Sequence, residues 1–584
     1  MPPAYSEYGR SAMCYALAKT FRMLEFFLYL ISGIGYGLYF DLNLLETVLV
    51  SMVLVCVWRG WVPEVSIRDA WRRWMGFANR KKSAVLSVFI LELALRAALL
   101  PFLPIPKPAV SDEFSHLLIS DTVSHGRLTN PTHPLWVHFE SLHIIQSPTY
   151  NSDYLPGQGA VLALGELAGN PWIAAWVLCA AMCAAICWML QGWLPPAWAL
   201  FGSLLAVLRF GVASYWVNGY YGGCLAALGG ALALGAYPRL LRKPVVITSL
   251  LFGLGISIVG YARPFEGLAL SIPAVAAITI TLLSRRVPFW SALPAVGVIV
   301  IALAALLVYC KAVTGDALTP PYAINQATYG WPMTLPWYHP HAVTFHNPEL
   351  KRYYDYELDA HNRNDSILGL LKHSTLKAQE TWRFYIGPAL SIPLIMLAAV
   401  WRSGRLRLLM LIGGLTLLAT LIETGSSPHY AAAATGCFLA LLVACFRRLC
   451  ARRHGVQFAL AAPAIMVLVL GVRIGLEQTH LPFTQTVNFQ SWCCVQPGNP
   501  DKARILAMLG KMGGHHLAIV KPKNDPNNLF QWIYNDADID ASRVVWARDL
   551  GADANQALLK YFAGRQVWLV DPNKDPAEFV PYPR

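Results

Sequence analysis

Long apolar stretches separated by short polar segments dominate the pattern of the chain. An apolar run of roughly 17–25 residues is long enough to cross a bilayer as a helix, and about thirteen such runs occur here. They lie near 24–41, 43–58, 84–104, 171–191, 193–212, 222–238, 244–261, 265–283, 288–310, 385–401, 406–423, 429–446 and 457–475. The pattern therefore predicts a mainly α fold, a polytopic helical bundle in a membrane.

Lysine and arginine residues gather in alternate segments between these runs. With a cytoplasmic N-terminus, the inner segments contain Arg10, Lys19, Arg22 and the stretches 68–82, 239–243, 285–286, 402–407 and 447–453. The short outer turns then contain almost no basic residue except Arg263. This asymmetry follows the positive-inside rule and predicts a multi-pass protein with a cytoplasmic N-terminus. The first run is long enough to remain as a span, so no cleavable signal peptide is expected.

The unusual polar stretches then all fall on the outer side. They are 105–157, 214–223, 261–267, 312–384, 423–430 and the tail from about residue 476. In the tail, β-branched and aromatic runs at 516–522, 542–550 and 565–572 predict strands, and 554–564 predicts a helix. We therefore expect a two-span anchor with a basic amphipathic segment (1–82), a catalytic membrane domain (83–475) and a small outer α/β domain (476–584).

Composition excludes a soluble protein and a nucleic-acid partner. The chain is 56% hydrophobic and 14% charged, with a mean hydropathy of +0.44, whereas soluble proteins carry about 25% charged residues. The net charge of +13 is explained by the cytoplasmic segments. The twelve cysteines mostly lie in apolar runs without disulfide or zinc spacing. Cys493 and Cys494 are adjacent, and no structural bridge is expected between them.

Candidate chemistry begins in the 105–157 loop, where Asp112 and Glu113 follow a predicted span. One carboxylate is a candidate general base at the boundary of water and lipid, where partial desolvation raises its pKa. The alternative is that the pair caps an interfacial helix, with Ser111 or Asp112 as N-cap. Asp121 is another acid of this segment. His116 and His125 each follow an aspartate by four residues, but no tight His-x-x-x-His spacing indicates a metal site.

Further candidates lie at the other outer segments. Tyr150, Asp153, Tyr154 and Gln158 belong to a Pro-Gly turn before an apolar run, which forms either a plain turn or a surface for a phosphate or sugar. His429 and Tyr430 open another run, where they either pack or bind substrate. The aromatic residues of 312–384 suit stacking on sugar rings or an interfacial belt.

The candidate cations also have two interpretations. Arg263 forms either a structural ion pair with Glu266 or a receptor for a lipid phosphate, because a guanidinium can bind two oxygens at once. Arg209 and Lys311, near the outer ends of their spans, are the other candidates for this role. Arg96 is expected to pair with Glu92, four residues earlier.

These features resemble the GT-C superfamily of integral-membrane glycosyltransferases. The likeness rests on the Asp-Glu pair opening the first outer loop, the Pro-Gly turn into a helix and the late His-Tyr pair, and it covers roughly 84–475. Within the superfamily the chain is most similar to bacterial members related to protein O-mannosyltransferases and lipid A aminoarabinose transferases. The pattern departs at Leu155-Pro156-Gly157, where the family has a Pro-Pro turn.

The resemblance implies a bacterial inner-membrane enzyme that moves a sugar from a polyprenyl-phosphate donor to an acceptor lipid, glycan or protein, with inversion. Asp112 matches the catalytic carboxylate, with Glu113 beside it, and Arg263, Arg209 and Lys311 would hold the donor phosphate. The remaining candidates for substrate contact are His116, Asp121, Tyr150, Asp153, Tyr154, Gln158, Glu266, His429 and Tyr430. No cofactor is predicted, and a divalent metal stays open.

Two other classes of protein handle the same lipid-linked sugars. A transporter or flippase would also need interfacial cations and aromatic residues, although it needs no acid-rich outer loop. Transporter folds are often built from repeated halves, and no internal repeat is evident in this sequence. An O-antigen ligase or polymerase would rely on arginine- and histidine-bearing outer loops.

Overall fold

The computed structural model describes residues 42–61, 68–331, 335–425, 427–478, 490–494, 498–524 and 531–583. The predicted span at 24–41 lies outside the described residues. The first half of the chain forms α1 (Asn43–Trp58), α2 (Arg68–Ala78), α3 (Lys81–Ala98), α4 (Ser111–Ser124), α5 (Gly157–Leu167), α6 (Pro171–Trp193), α7 (Pro196–Ala206), α8 (Cys224–Arg242), α9 (Val246–Ala262) and α10 (Pro264–Leu283).

The second half continues the helical pattern and adds a small sheet. Its helices are α11 (Leu293–Thr314), α12 (Pro321–Tyr329), α13 (Pro348–Asn362), α14 (Ile367–Tyr385), α15 (Leu397–Trp401), α16 (Arg407–Ile422), α17 (Thr435–Leu449), α18 (Gly455–Gln478), α19 (Pro500–Met512) and α20 (Ala552–Tyr561). The strands of the whole chain are β1 (Asn130–Pro131), β2 (Ile144–Ile145), β3 (Thr149–Ser152), β4 (His516–Val520), β5 (Val544–Arg548), β6 (Gln566–Asp571) and β7 (Glu578–Pro581). The mainly α fold with a small C-terminal sheet is as predicted.

Six helices of the described residues are long and apolar enough to cross a membrane, and five shorter apolar helices accompany them. The protein is therefore a multi-pass membrane protein, although this number does not confirm the thirteen predicted spans. The prediction of one continuous span at 385–401 is wrong. The chain turns at Gly387, with φ +63°, and then forms a 3-10 segment at Ile392–Met396, because glycine and proline interrupt the α-helical pattern there.

Helix α6 connects two ends of the bundle that differ in their polar contacts. At its start, Trp172 Nε1 donates a hydrogen bond to the Val217 carbonyl at 2.7 Å. Near its other end, Arg239 and Arg242 donate to the carbonyls of Trp188 and Gly192. The helix has 23 residues, which at ~1.5 Å per residue spans about 35 Å. Trp188 and Gly192 lie about 24 and 30 Å along the helix axis from Trp172, so these arginines lie toward the opposite end of the bundle from the polar 214–223 segment.

The segments that the sequence predicts to be outer form a layer with two small sheets. Strands β1, β3 and β2 pair antiparallel in that order. The C-terminal sheet has the order β5-β4-β6-β7, with β4 parallel to β5 and β6, and β7 antiparallel to β6. The three tail strands and the helix between the last two form where the sequence predicted them. Helix α19 and strand β7 are additional.

The C-terminal sheet packs on the first outer loop. Leu118 and Ile144 of the loop share one buried apolar cluster with Leu517, Ile519 and Val545 of the sheet. The two parts are also joined by the hydrogen bond that Arg548 Nε donates to the Glu140 carbonyl at 2.7 Å. The loop and the tail therefore form one folded layer.

Helix α1 is held to the bundle by a buried ion pair. Arg209 Nη1 lies 3.8 Å from Glu46 Oε1, and both side chains are fully buried. Arg209 also donates hydrogen bonds to the carbonyls of Phe384 and Arg383, and its Cζ lies 4.1 Å from the centre of the Trp492 ring. Contrary to the sequence expectation, the structure joins the neighbouring Cys493 and Cys494 in a disulfide.

Candidate functional site

A cavity of about 410 Å³ lies where the outer layer meets the bundle. Its polar lining comes from the first outer loop, the turn between α9 and α10, helix α12 and the segment 423–430. Asp112 and Arg263, the two residues on which the sequence interpretation depends most, both line it. The cavity therefore brings a carboxylate and a guanidinium into one space.

Asp112 lies in the first turn of α4, and its Oδ1 accepts a hydrogen bond from the Tyr154 hydroxyl at 2.5 Å. Burial raises the pKa of this carboxyl, but His143, the Tyr154 hydrogen bond, His116 and Arg263 together outweigh burial and hold the pKa below its usual range. The sequence interpretation had expected desolvation to raise it. Asp112 is therefore an ionised carboxylate at neutral pH.

Glu113 has a different role. Its Oε2 accepts hydrogen bonds from the backbone N–H groups of Ala109 and Val110, and its Oε1 accepts one from Tyr220. Burial raises the pKa of Glu113 to about 7, against the lowering effect of these bonds. The carboxylate thus fastens the start of α4, where Val110 is the N-cap in place of the expected Ser111 or Asp112.

Arg263 lies in the tight turn that ends α9 and precedes Pro264. Its Nη1 is 3.8 Å from Glu266 Oε1, and 24% of the side chain is exposed. The guanidinium carbon stands 4.1 Å from the centre of the Tyr430 ring. The Glu266 and Tyr430 contacts keep the pKa of Arg263 above its usual range although burial opposes them. A permanent cation therefore faces the cavity.

His143 is a site residue that no sequence motif indicated. Its φ of +60° is unusual for a residue with a side chain, and its Nδ1 lies 3.1 Å from Asp153 Oδ2. Its carbonyl accepts hydrogen bonds from Ser115 and from the Asp153 N–H. Burial lowers the pKa of His143, but Asp153 and Asp112 outweigh it and raise the pKa to about 9. His143 is therefore a cation near Asp112.

The ring of Tyr154 lies against two histidines. Its centroid is 4.7 Å from that of His116, in a stacked arrangement, and 5.5 Å from that of His143. Burial lowers the pKa of His116 to about 4, so this histidine is neutral. The three rings fix the hydroxyl of Tyr154 on Asp112.

The structure brings most of the predicted residues together. Those that line the cavity are Asp112, His116, Asp153, Tyr154, Gln158, Arg263, Glu266, His429 and Tyr430. Further lining residues that the sequence did not single out include His143, Tyr221, Asn325, Trp331 and Glu423. Asn325 and Trp331 lie in the aromatic stretch whose general role was predicted, but nothing in that stretch distinguished them from their neighbours.

The other five candidates lie outside the cavity lining, Glu113 among them. Arg209 is engaged by Glu46 and two carbonyls, and Lys311 donates a hydrogen bond to the Gly315 carbonyl. Asp121 accepts a hydrogen bond from the Ala537 N–H at 2.5 Å, and the Tyr150 hydroxyl donates to the Asn535 carbonyl at 2.9 Å. These side chains hold elements of the fold together.

Two further predictions concern the partner of Arg96 and a possible metal site. Arg96 donates hydrogen bonds to the carbonyls of Leu103 and Pro104 and to the Asn218 side chain, rather than forming the close pair expected with Glu92. Among the residues that the structure describes, no group of three or more His, Cys, Asp or Glu side chains is arranged to hold a metal ion.

No family model and no curated protein matches this chain. Solved structures similar to it include the oligosaccharyltransferase of Archaeoglobus fulgidus in complex with zinc and sulfate, at 10% identity and a TM-score of 0.45, over 84% of this chain and 67% of that one. Apo ArnT from Cupriavidus metallidurans is similar at 14% identity and a TM-score of 0.45, over 82% of this chain and 92% of that one. ArnT bound to undecaprenyl phosphate covers the same shares at 13% identity and a TM-score of 0.43.

Proposed function

We propose that this protein is a membrane glycosyltransferase that moves a sugar from a polyprenyl-phosphate donor to an acceptor hydroxyl or amine, with Asp112 as general base. The observation that carries this proposal is the shared cavity, in which an ionised carboxylate and a permanent cation face one space. A glycosyl transfer from a lipid phosphate needs these two groups, one for the acceptor proton and one for the phosphate.

Arg263 is the residue that would hold the donor phosphate. Its guanidinium lies 3.8 Å from the Glu266 carboxylate and is partly exposed to the cavity, so it can present N–H groups to phosphate oxygens. Arg209 and Lys311 are withdrawn from this role because both are bonded elsewhere. Phosphate binding in the cavity therefore depends on Arg263.

The donor's hydrocarbon tail has an apolar path out of the cavity. Leu268 lines the cavity and is 57% exposed. One turn further along α10, Ile272 is 64% exposed, so both side chains face the hydrocarbon of a bilayer. A polyprenyl chain leaving the phosphate beside Arg263 would run along this face. An anionic headgroup with an apolar tail fits the cavity better than a free nucleotide sugar does.

The reaction is a single displacement. The acceptor oxygen or nitrogen forms a bond to the anomeric carbon while the bond from that carbon to the phosphate oxygen breaks, and the acceptor proton passes to Asp112. Polyprenyl phosphate leaves with the bonding electrons, and its charge is stabilised by Arg263. A lipid phosphate is already a good leaving group, so no strong general acid is needed, and one displacement inverts the anomeric centre.

The site would face the outer side of a bacterial inner membrane. Supporting this placement, Arg239 and Arg242 bond to α6 at Trp188 and Gly192, about 24 and 30 Å along the helix axis from Trp172, which bonds to the polar 214–223 segment. Positive residues favour the cytoplasm, so the cavity would open to the opposite compartment. The residues 83–475 would supply the catalytic domain, with the C-terminal layer holding the first outer loop.

The Asp112→Asn variant tests this function. We expect glycan transfer to fall by about 100- to 10,000-fold, the usual contribution of a general base, while undecaprenyl phosphate still raises the melting temperature of the protein. Transfer is measured by mass spectrometry of envelope glycans and glycoproteins in a deletion strain complemented with each variant. Asp355→Asn, at an exposed ion pair with Lys351, is the matched control. Near-normal transfer by Asp112→Asn would remove Asp112 from the mechanism.

A further inference from the structure

Asp153 has one carboxylate oxygen in use and one without a partner. Its Oδ2 faces His143 Nδ1 at 3.1 Å and accepts a hydrogen bond from Asn325 Nδ2 at 3.0 Å. Its Oδ1 is buried and, within the described part of the chain, has no hydrogen-bond partner. The residue is only 4% exposed, yet it lines the cavity. A buried anionic oxygen thus remains to be satisfied.

Asn325 repeats this pattern. The side chain is 4% exposed, and its Nδ2 donates to Asp153 and, at 3.4 Å, to the Tyr354 hydroxyl. The NH₂ group of this amide points toward Asp153 Oδ2, which accepts its hydrogen bond. This orientation leaves Asn325 Oδ1 as an acceptor, and it too is buried without a partner among the described residues.

Buried polar atoms in native proteins are nearly always hydrogen-bonded, so two such acceptors on side chains that bond each other need an explanation. Their ligand must donate hydrogen bonds, since a phosphate or carboxylate would be repelled and a hydrocarbon would leave both oxygens unsatisfied. Trp331 also lines the cavity, and its ring centroid lies 6.0 Å from that of Tyr354, whose hydroxyl accepts a hydrogen bond from Asn325. Two acceptors in a cavity that is also lined by an aromatic ring match the hydroxyl groups and the apolar face of a sugar ring.

We propose that Asp153 and Asn325 form a subsite for two neighbouring hydroxyl groups of the transferred sugar. This inference rests on the proposed function, because the sugar would arrive on the lipid phosphate held by Arg263. Tyr154, the next residue after Asp153, donates its hydroxyl to Asp112, so the subsite and the base are joined through one short segment. The sugar would thus be held by its hydroxyls with its anomeric carbon between base and phosphate.

The test compares bare undecaprenyl phosphate with undecaprenyl phosphate carrying glucose, mannose or N-acetylglucosamine. The measured quantity is the sugar gain, the ratio of the Kd for the bare lipid to the Kd for the glycosylated one. For the full-length wild-type protein we expect a gain of about tenfold or more with at least one sugar. Asn325→Leu should reduce the gain to about one and leave the Kd for the bare lipid unchanged. Thr328→Val, an exposed position on the same helix, should keep the wild-type gain.

A second measurement leaves the protein unaltered, in case Asn325→Leu folds poorly. Deoxygenating the preferred sugar one ring position at a time should remove most of the gain at two adjacent positions and little elsewhere. The subsite is contradicted if the sugar gain persists in Asn325→Leu and with every deoxygenated sugar. It is also contradicted if Asn325→Leu loses affinity equally for bare and glycosylated lipid. If the wild-type protein binds bare lipid and no sugar improves the Kd, water rather than sugar satisfies Asp153 and Asn325. That result would refute the subsite but leave the proposed function standing. Failure to bind bare lipid would instead contradict the proposed function.

Discussion

Asp112 and Glu113 are neighbours in sequence with different functions in the structure. Glu113 accepts three backbone hydrogen bonds, whereas Asp112 faces the cavity with one bond from Tyr154. The sequence could predict a catalytic or capping role for this pair, because two acidic residues follow a predicted span. It could not tell the two apart, since the partners Tyr154 and Tyr220 lie 42 and 107 positions away. His143 was missed for a similar reason, because only the fold brings it to Asp112.

His143→Gln should shift the pH dependence of transfer. The cation lowers the pKa of Asp112, so its removal raises that pKa, by roughly one unit for a neighbouring charge. In the proposed mechanism Asp112 acts as the carboxylate, so the acidic limb of kcat/KM should move to higher pH. The profile is measured against lipid-linked donor, with His125→Gln, an exposed histidine paired with Asp121, as control. An unmoved acidic limb would show that His143 does not act on Asp112.

Arg263→Lys should weaken donor use. Lysine keeps a positive charge near Glu266 but loses the fork that binds two phosphate oxygens, so we expect the donor KM to rise about tenfold, the effect of losing one charge-assisted hydrogen bond. Arg363→Lys, at an exposed position of the second outer loop, makes the same change away from the cavity. Steady-state kinetics against donor concentration measure the effect. A donor KM equal to that of the control would exclude Arg263 as the phosphate receptor.

Among the elements, the apolar runs predicted helices well and their interruptions poorly. Helices α6, α8, α10 and α11 begin or end within a few residues of the predicted runs. The run at 385–401 is apolar, but glycine and proline interrupt its helix. The hydropathy of a stretch does not reveal such an interruption. Buried Arg209 illustrates the other limit. The sequence suggested Arg209 as a candidate for the donor phosphate, whereas the structure pairs it with Glu46, on a helix far away along the chain.

Glu46→Gln should destabilise the protein without altering its chemistry. The change leaves the buried Arg209 without its counter-charge, which costs about 3 kcal/mol or more in a buried pair. We expect a lower melting temperature in detergent, with the donor KM unchanged in the fraction that remains folded. Glu578→Gln, at a partly exposed pair with Lys574, should leave the melting temperature as it is. A melting temperature unchanged by Glu46→Gln would mean that this ion pair does not anchor α1.

At the scale of the whole molecule, the three predicted regions are less separate than the sequence suggested. Composition indicated a distinct α/β tail, and the sheet is there, but its core continues into the first outer loop through Leu118, Ile144 and Tyr150. Contacts across some 400 positions leave no periodic signal in a single sequence. The tail is therefore better understood as the support of the loop that carries Asp112 than as an appended module.

Arg548→Ala tests this support. Arg548 lies on β5, donates to the Glu140 carbonyl and forms an ion pair with Glu349, so it ties the sheet to both large outer loops. Its removal leaves buried acceptors unpaired, at about 1–3 kcal/mol each, and should lower both the melting temperature and the rate of transfer, although Arg548 lies outside the cavity lining. Arg543→Ala, at an exposed position nearby, should change neither. Full transfer by Arg548→Ala would show that the sheet is dispensable for the site.

The apolar core shared by the first outer loop and the C-terminal sheet can form only after the C-terminal strands have been synthesised. Ribosomes add about 5–20 residues per second, so the first outer loop leaves the membrane many seconds before strands β4 to β7 exist. During that interval Leu118 and Ile144 of the loop lack the apolar side chains of the sheet against which they pack in the finished protein. Docking of the last strands completes the core that supports the loop carrying Asp112, so we expect a chain that stops before β4 to lack this support. We therefore expect the proposed activity to appear only after the C-terminal strands have been translated.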